Sequence, residues 1–411
     1  MPSGTPSRGT KSPSWIKLGS VLPRGKGPCQ NAPMGSGPVY LDYNATTPVL
    51  PEVLREMLPW FTEHPGNPSS PHVEGFLAHR AVEEGRGRVA AMLGARPSEI
   101  VFTSGGSEAD NTAILGVARA RGRGHVITTA IEHPAVLEPC RRLEEEGFRV
   151  TRLPVDGKGR IDPDDLRRAL APDTILASVM LANNEVGTLQ PVREVAAACR
   201  EAGVLLHVDA CQAVGKVPVD VRELGADLVA LAGHKFYAPK GIGVLWVREG
   251  LRLPSLVLGA GHEDGRRAGT ENVPGIAGIG AAAALVARDL PATAERLRAL
   301  RDRLRDRLLA EVPGLVVHGD PDGGLPNTLS VSFPGVTSGE MLSLLVDRVA
   351  CSAGAACHGG EVRASHVLRA MGVPPGIAAG TLRLTTGRPT TEGEIDRAAA
   401  ALVDAWRTLR A

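Results

Sequence analysis

The chain has 411 residues, of which 43% are hydrophobic and 3% aromatic, and its 46 Lys and Arg nearly balance its 45 Asp and Glu. This apolar content is enough for a large core, and the length favours two or three domains. The balanced charge argues against a general binder of nucleic acid or of membrane surfaces, and the scarcity of aromatic residues argues against base stacking. The six cysteines show no paired spacing, which favours the cytoplasm over an oxidising compartment.

Residues 1–37 differ in composition from the rest of the chain. They are rich in Pro, Gly, Ser and basic residues and contain no Asp or Glu, which predicts a disordered tail. Two alternatives stay open. One is an organelle transit peptide, which is also poor in acidic residues, and the other is a misplaced start with Met34 as the initiator.

Strand-like and helix-like stretches alternate from about residue 95 to residue 250. Helices are predicted at Glu108–Arg119 and Val192–Ala202. The predicted strands are Ile100–Ser104, His125–Thr129, Phe148–Leu153, Thr174–Leu181, Val204–Val208, Asp227–Leu231 and Gly243–Val247. Such alternation predicts an α/β fold with a mainly parallel sheet wrapped by helices, in which ligands bind at the carboxyl ends of the strands.

An amphipathic helix at Thr293–Glu311 is predicted to lead into a smaller domain, because leucines recur on one of its faces. The expected organisation is therefore a tail at 1–37, a large domain at 38–290 and a small C-terminal domain at 291–411. No run is long and apolar enough to predict a membrane span. The nearest candidate, Val273–Ala287, is short and rich in Gly and Ala, which indicates a packed helix.

Two polar residues follow predicted strands. Lys235 ends the turn Gly233-His234-Lys235, and a lysine in a tight, partly dry turn can lose its proton and form a Schiff base with an aldehyde cofactor. Asp209 follows the strand Val204–Val208. It would either cap the next helix or pair with the protonated pyridine nitrogen of pyridoxal phosphate.

A third element runs from Val101 to Glu108 and is predicted as strand, small-residue turn and helix. Free backbone N–H groups and the helix dipole at such a turn form a seat for phosphate, with Gly106 and Ser107 as donors. The turn matches neither the Walker pattern nor GxGxxG, which argues against a nucleotide.

Several motifs in one order carry a family resemblance. They are Tyr40–Pro48, Gly66-Asn67-Pro68, Glu132-His133, Asn183-Asn184-Glu185, His207–Gln212, Gly233-His234-Lys235, Arg267–Asn272 and Ser352–Cys357. Together they resemble the cysteine desulfurase and selenocysteine lyase family of class V aminotransferases, over roughly residues 38–410. The resemblance implies a fold-type I transferase that depends on pyridoxal 5'-phosphate, with a mainly parallel seven-stranded sheet and a smaller α+β C-terminal domain.

The resemblance also implies roles for matching residues. Lys235 would carry the cofactor, Asp209 would pair with its pyridine nitrogen, and His133 would stack on its ring and assist proton transfer. The other cofactor contacts it implies are Asn184 and Gln212 at the phenolic oxygen, Gly106, Ser107 and His234 at the phosphate, and Thr270 from the second subunit of a homodimer. Arg383 and Asn44 would bind the substrate.

Arg383 has support from its own segment, because it alternates with leucines in Thr381–Thr385. A strand of this pattern buries its leucines and turns the arginine to a cleft, where its fork matches a carboxylate. Cys357 lies in the small-residue stretch Cys351–Gly360, which predicts a mobile loop with an accessible thiol. Its ordinary pKa of ~8.5 would fall near cations such as His358 and Arg363. The resemblance makes Cys357 the nucleophile and leaves Cys351 and Cys211 as structural thiols.

The implied activity converts L-cysteine to L-alanine and leaves the sulfur on Cys357 as a persulfide. A sulfur-acceptor or iron–sulfur scaffold protein would then receive it, and Cys357 could transiently ligate an iron–sulfur cluster. No resident metal, nucleic acid or membrane partner is expected. The alternatives are a selenocysteine lyase, an ordinary aminotransferase, which would not need Cys357, and an inactive cofactor-binding scaffold.

Two positions depart from the commonest family pattern. Ala232 stands where a serine or threonine often precedes Gly-His-Lys, so one phosphate hydroxyl would be missing and cofactor affinity is expected to be lower. Pro134 follows Glu132-His133 where polar residues are frequent, which puts substrate preference in question.

Overall fold

A computed structural model describes the backbone of residues 37–358 and 361–411, and their side chains except those of residues 355–363. The predicted disordered tail lies outside the described residues apart from Gly37. Within this part, the strands are β1 Val39–Tyr40, β2 Ile100–Thr103, β3 His125–Thr129, β4 Arg149–Leu153, β5 Thr174–Met180, β6 Leu205–Asp209, β7 Leu228–Ala232, β8 Gly243–Val247, β9 Val316–His318, β10 Thr328–Ser332, β11 Val349–Ala350, β12 Ser352–Ala353, β13 Ala355–His358, β14 Glu361–Ala364 and β15 Thr381–Thr385.

Helices connect most of these strands. In the described residues they are α1 Pro51–Met57, α2 Pro59–Thr62, α3 Val73–Leu93, α4 Gly106–Arg121, α5 Pro134–Glu145, α6 Pro163–Ala169, α7 Val192–Glu201, α8 Val221–Leu224, α9 Val273–Glu311, α10 Ser338–Leu345, α11 His366–Ala370, α12 Pro375–Ala378 and α13 Glu392–Arg410. Local signals explain several starts. For example, Thr391 caps α13 and forms a reciprocal capping box with Glu394.

The central sheet has seven strands in the order β2-β8-β7-β6-β5-β3-β4, and only β8 runs antiparallel to its neighbours. The predicted mainly parallel, seven-stranded sheet is therefore confirmed. Strands β5 to β8 are almost entirely buried because helices cover both faces, as parallel sheets require. β6 ends at Asp209 and the paired β7 ends just before Lys235, which brings both residues to one edge of the sheet.

A second, four-stranded antiparallel sheet has the order β12-β15-β10-β9 and packs against α9, α10 and α13. Its core also contains Val39 and Leu41, because β1 pairs with β11. The start of the described chain thus packs with the C-terminal half. The division of the chain at residue 290 stays a prediction.

The helix α9 differs from its prediction. The sequence suggested a short helix at Val273–Ala287 and a separate one at Thr293–Glu311, whereas the structure has one helix of 39 residues with Pro291 inside it. Burial against α3 and both cores offsets the hydrogen bond that the proline removes. By length and composition α9 could cross a membrane, contrary to the prediction, but 61% of its most apolar window is buried inside the fold.

The small-residue stretch near Cys357 is more regular than predicted. Ser352–Ala353 completes the edge of the second sheet, and β13 and β14 form an antiparallel hairpin in which Cys357 lies opposite Val362. The prediction of a loop throughout is therefore wrong for these residues. The small residue at 354 has a packing reason, since a Cβ on Gly354 would lie 2.6 Å from Cγ2 of Thr381.

Candidate active site

A cavity of about 360 Å³ opens at the carboxyl edge of the central sheet. Other hollows of the described residues, of about 420, 730 and 820 Å³, are larger but are lined by none of the predicted site residues. The predicted site residues that line the smaller cavity are Asn44, Gly106, Ser107, His133, Asn184, Asp209, Gln212, His234, Lys235 and Arg383. The fold therefore brings together residues that lie up to 339 positions apart, from Asn44 to Arg383.

Lys235 sits in a 3-10 turn directly after β7 and points its amine into this cavity wall. Its Nζ donates to the carbonyl oxygens of Asn44, at 2.8 Å, and Ala45, at 2.9 Å. Burial is the largest influence on the pKa of Lys235 and lowers it, because the charged form loses solvation. An amine that gives up its proton readily is the group that a Schiff base requires.

Asp209 lies at the floor of the cavity, and its Oδ1 accepts a hydrogen bond from the backbone N–H of Cys211 at 2.9 Å. Carboxyl oxygens of Asp110 and Asp209 and the Sγ of Cys211 lie within 4.8 Å of one another. Burial and then the charge of Asp209 raise the pKa of Asp110 well above its ordinary value. The protonated form of Asp110 is therefore favoured over the charged form. Sequence reasoning missed Asp110, although it follows Gly106 by one turn of helix.

The predicted phosphate seat lies at the start of α4. Gly106 is the first residue of this helix and is buried, and Ser107 is exposed beside it. A Cβ on Gly106 would lie 2.6 Å from the Sγ of Cys211, so any side chain there would close the wall of the cavity. His234 contributes a ring held by Thr46, with 3.2 Å between Nδ1 and Oγ1, and burial lowers the pKa of His234 to about 4.

His133 caps α5 at the cavity mouth, where its Nδ1 accepts a hydrogen bond from the backbone N–H of Ala135 at 3.1 Å. Although the residue as a whole is exposed, the cavity walls remove water from its ring and lower its pKa. The neutral ring thus carries its proton on Nε2. Pro134 occupies the first helical position, which proline favours, so the helix start gives this departure a local explanation.

Glu132 lies behind the cavity and is completely buried. Its Oε1 accepts hydrogen bonds from Oγ1 of Thr129, at 2.7 Å, and the backbone N–H of Met180, at 2.9 Å. Oε2 has no hydrogen-bond partner among the described residues. Burial raises the pKa of Glu132 to about 8, so this side chain is mostly protonated at neutral pH.

Arg383 lies on β15 between the buried Leu382 and Leu384, as the alternating pattern predicts. Its Nη2 donates to Oδ1 of Asp42 and to Oγ of Ser352, both at 2.9 Å, and its Nη1 donates to the carbonyl of Asn184. Asp42 was not predicted as a site residue, and no sequence signal links it to an arginine more than 300 positions away. The guanidinium therefore already holds one carboxylate.

The side-chain amide of Asn44, a predicted substrate contact, forms hydrogen bonds within the fold. Its amide donates to Oγ1 of Thr328, at 2.9 Å, and to the carbonyl of Asn184, at 3.2 Å. The group that Asn44 offers to the site is its backbone carbonyl, which accepts from Lys235 and from Nε2 of Gln212, each at 2.8 Å. Asn44 thus orients the amine of Lys235 and links the turns after β6 and β7 to β10.

Two predicted residues are not brought into this cavity wall. Thr270 lies exposed in the loop before α9, and Cys357 is placed only by its backbone in β13. Cys211, predicted as structural, does line the cavity. Burial raises the pKa of the described thiols, to about 12 for Cys140, Cys199 and Cys351 and well above the ordinary range for Cys211. None of these four is suited to act as a thiolate near neutral pH.

The residues fit pyridoxal phosphate. The cavity supplies an amine of lowered pKa, a carboxylate at the floor and a helix start at which only glycine leaves room. These are the groups that bind the aldehyde, the pyridine nitrogen and the phosphate of this cofactor. A lysine and a carboxylate at the carboxyl edge of a mainly parallel sheet are the arrangement that such a cofactor would need.

Comparison with known proteins names the family. The family described as Aminotransferase class-V matches residues 39–398, and the chain belongs to it. A cysteine desulfurase from Gluconacetobacter diazotrophicus is 49% identical over 364 residues, which cover 87% of this chain and 91% of that protein. Another cysteine desulfurase, from Trichormus azollae, is 46% identical over 376 residues, covering 91% and 94%. A solved NifS-like protein is 38% identical with a TM-score of 0.85, covering 91% of this chain and 99% of its own.

Proposed function

We propose that the chain is a cysteine desulfurase that uses pyridoxal 5'-phosphate, converts L-cysteine to L-alanine and passes the sulfur to Cys357. The observation that carries the proposal is that the Lys235 amine, the Asp209 carboxylate and the Arg383 guanidinium line one cavity. Relatives that are named cysteine desulfurases and match most of the chain favour this activity over a selenocysteine lyase. Its expected place is the cytoplasm.

Each polar group of the cofactor has a residue to hold it. Lys235 would bind the aldehyde, Asp209 would pair with the pyridine nitrogen, and His133 would cover one face of the ring. The remaining contacts would come from Gln212 and Asn184 at the phenolic oxygen and from Gly106, Ser107 and His234 at the phosphate. When bound, the cofactor supplies an electron sink that stabilises negative charge at the substrate α-carbon.

The substrate would enter beside Arg383. Its carboxylate would replace Asp42 at the guanidinium, an exchange of one carboxylate for another that needs no new cation. Lys235 would hold the aldehyde of the cofactor and, with its amine free, would take the α-proton on Nζ. His133 keeps Nε2 for a second proton transfer, because its Nδ1 is engaged by Ala135.

Sulfur transfer is assigned to Cys357. Its thiolate would attack the substrate sulfur, forming a sulfur–sulfur bond while the carbon–sulfur bond breaks. The electron pair of the broken bond stays with the carbon, which takes a proton and leaves as alanine. The hairpin would then present the persulfide to an acceptor such as an iron–sulfur scaffold protein.

A second copy of the chain would complete the phosphate site through Thr270. The exposed position of Thr270 supports this, since it cannot serve the phosphate of its own cavity from there. Leu54, Leu58 and Phe61 supply an exposed apolar strip on α1 and α2 that suits burial in a homodimer.

The test is to incubate the purified protein with cysteine, pyridoxal phosphate and a thiol reductant and to measure alanine and sulfide together. Equal yields of both are expected. Cys357→Ser should keep the visible colour of the bound cofactor and lose both products, whereas the matched variant Cys351→Ser should keep both. A keto acid in place of alanine would identify an aminotransferase. Alanine release from selenocysteine but not from cysteine would identify a selenocysteine lyase, and a coloured protein without any product would be a scaffold.

A further inference from the structure

Lys216 is a buried lysine next to the cavity that the mechanism above does not use. It is only 4% exposed, which is rare for a lysine without an acidic partner. Among the described residues, its Nζ donates only to Gln212, at 2.9 Å to the backbone carbonyl and 3.1 Å to Oε1. Lys216 follows Gln212 by four positions in a series of turns, so its side chain reaches back over one turn.

These contacts fix which way the Gln212 amide points. The charged form of lysine can only donate a hydrogen bond, so the atom that faces it must be the amide oxygen. The carbonyl of Asn44 can only accept, so the atom facing it, at 2.8 Å, must be the amide nitrogen. Both constraints select the same orientation. The Asn44 carbonyl also accepts from Lys235, so hydrogen bonds link the buried lysine to the reactive one.

We propose that Lys216 is a positioning residue that holds the Gln212 amide with its N–H toward the phenolic oxygen of the cofactor. This inference rests on the proposed function, since it needs a bound cofactor. Without Lys216, only the Asn44 carbonyl would hold the amide, and any rotation of the amide would turn its oxygen toward the ligand oxygen, which it repels.

The protonation of Lys216 is compatible with this role. Burial, followed by the charge of Lys235, lowers the pKa of Lys216 to about 7. A neutral amine has two N–H donors, and Gln212 offers two acceptors at hydrogen-bond distance. Neither protonation state leaves the Oε1 of Gln212 without a donor. A purely structural role would instead use only the backbone carbonyl of Gln212, and the two roles predict different mutant behaviour.

The experiment is a double-mutant cycle with Lys216→Met and Gln212→Met. Apoproteins are titrated with pyridoxal phosphate, and the dissociation constant and visible absorption maximum are measured for each. Lys216→Met should weaken binding roughly tenfold and shift the maximum in the direction seen for Gln212→Met. In the Gln212→Met background the same change should cost less than about twofold, because the group it positions is gone.

Equal losses in both backgrounds would overturn the inference and leave Lys216 as support for the turn. Lys240→Met, at an exposed lysine, is the matched control and should bind like the wild type. If circular dichroism shows that Lys216→Met does not fold, the cycle is run with Lys216→Gln, which keeps a donor of shorter reach and should show the same pattern. A wild type without visible absorption would refute the proposed function as well, whereas a coloured, active wild type with additive losses would refute only the role of Lys216.

Discussion

The floor and the side wall of the cavity are held in different ways. On the floor, Lys235 and Gln212 bond to backbone carbonyls and Asp209 bonds to a backbone N–H, so main-chain groups of the turns that follow β1 and β6 fix them. On the side wall, Arg383 is held largely by the side chains of Asp42 and Ser352. Backbone partners suit a permanent cofactor, whereas side-chain partners can be exchanged when a substrate comes and goes.

Among substitutions in the floor, Lys235→Ala should have the largest effect on activity. We expect a loss of activity of about a thousandfold or more, because the α-proton loses its acceptor and the cofactor its covalent attachment. Alanine formation and the visible spectrum measure the two effects. Lys240→Ala is the matched control on an exposed lysine. A Lys235→Ala protein with near wild-type turnover would refute the assignment.

A substitution in the side wall should impair substrate binding rather than cofactor binding. Arg383→Lys keeps the charge but loses the fork, and we expect kcat/KM for cysteine to fall about a hundredfold, mainly through KM. Cofactor affinity and colour should stay unchanged. Arg298→Lys, at an exposed arginine of α9, controls for the substitution itself. If Arg383→Lys weakened cofactor binding more than cysteine binding, the floor and the side wall would not have separate roles in binding cofactor and substrate.

Glu132, which lies behind the cavity, is expected to make the stability of the folded protein depend on pH. Its pKa is raised to about 8 from an ordinary 4.5, so the folded protein keeps a proton that the unfolded chain loses. Wild-type stability should therefore fall as pH rises through this window, and Glu132→Gln should escape that loss. We expect the variant to gain about 2 kcal/mol in free energy of unfolding relative to wild type near pH 8, and nothing near pH 4.5.

Chemical denaturation at both pH values measures this effect, and Glu138→Gln, at an exposed position of α5, supplies the control. An equal gain at both pH values would show that packing rather than the proton is responsible.

The smallest expected effect is a gain. Ala232 lines the cavity, and its Cβ lies 3.2 Å from where a Cβ on Gly106 would stand, so it borders the phosphate seat. Ala232→Ser adds a hydroxyl there and should tighten pyridoxal phosphate binding by about threefold, the value of one modest hydrogen bond. Titration of the apoproteins checks it. Weaker binding would mean that the floor has no room for the donor.

The residues of the cavity floor could be predicted from the sequence because they follow the ends of predicted strands. Asp209 and Lys235 each follow an apolar strand, and parallel strands end at a common edge, so their meeting follows from periodicity and chain direction. Arg383 was readable from the leucines beside it. The ordered motifs supplied the remaining residues through the family resemblance.

The features that could not be predicted from the sequence depend on contacts between segments that are distant in the chain. Asp42 meets Arg383 only because β1 packs with the C-terminal half, and no local pattern announces that pairing. From the sequence, Lys216 would be taken for a solvated turn residue, because only the structure shows that its turn is buried. A proline inside α9 indicates a break, and only packing against two cores shows that the helix continues.

That unbroken helix constrains how this protein can change length. Inserting one residue between Val286, in the first core, and Leu297, at the start of the leucine face, would rotate everything beyond it by about 100° and advance it by about 1.5 Å. The β-hairpin and Arg383 would then lose their alignment with Lys235. Insertions and deletions should accordingly accumulate in the surface loops, while the residue count of α9 stays constant across functional variants.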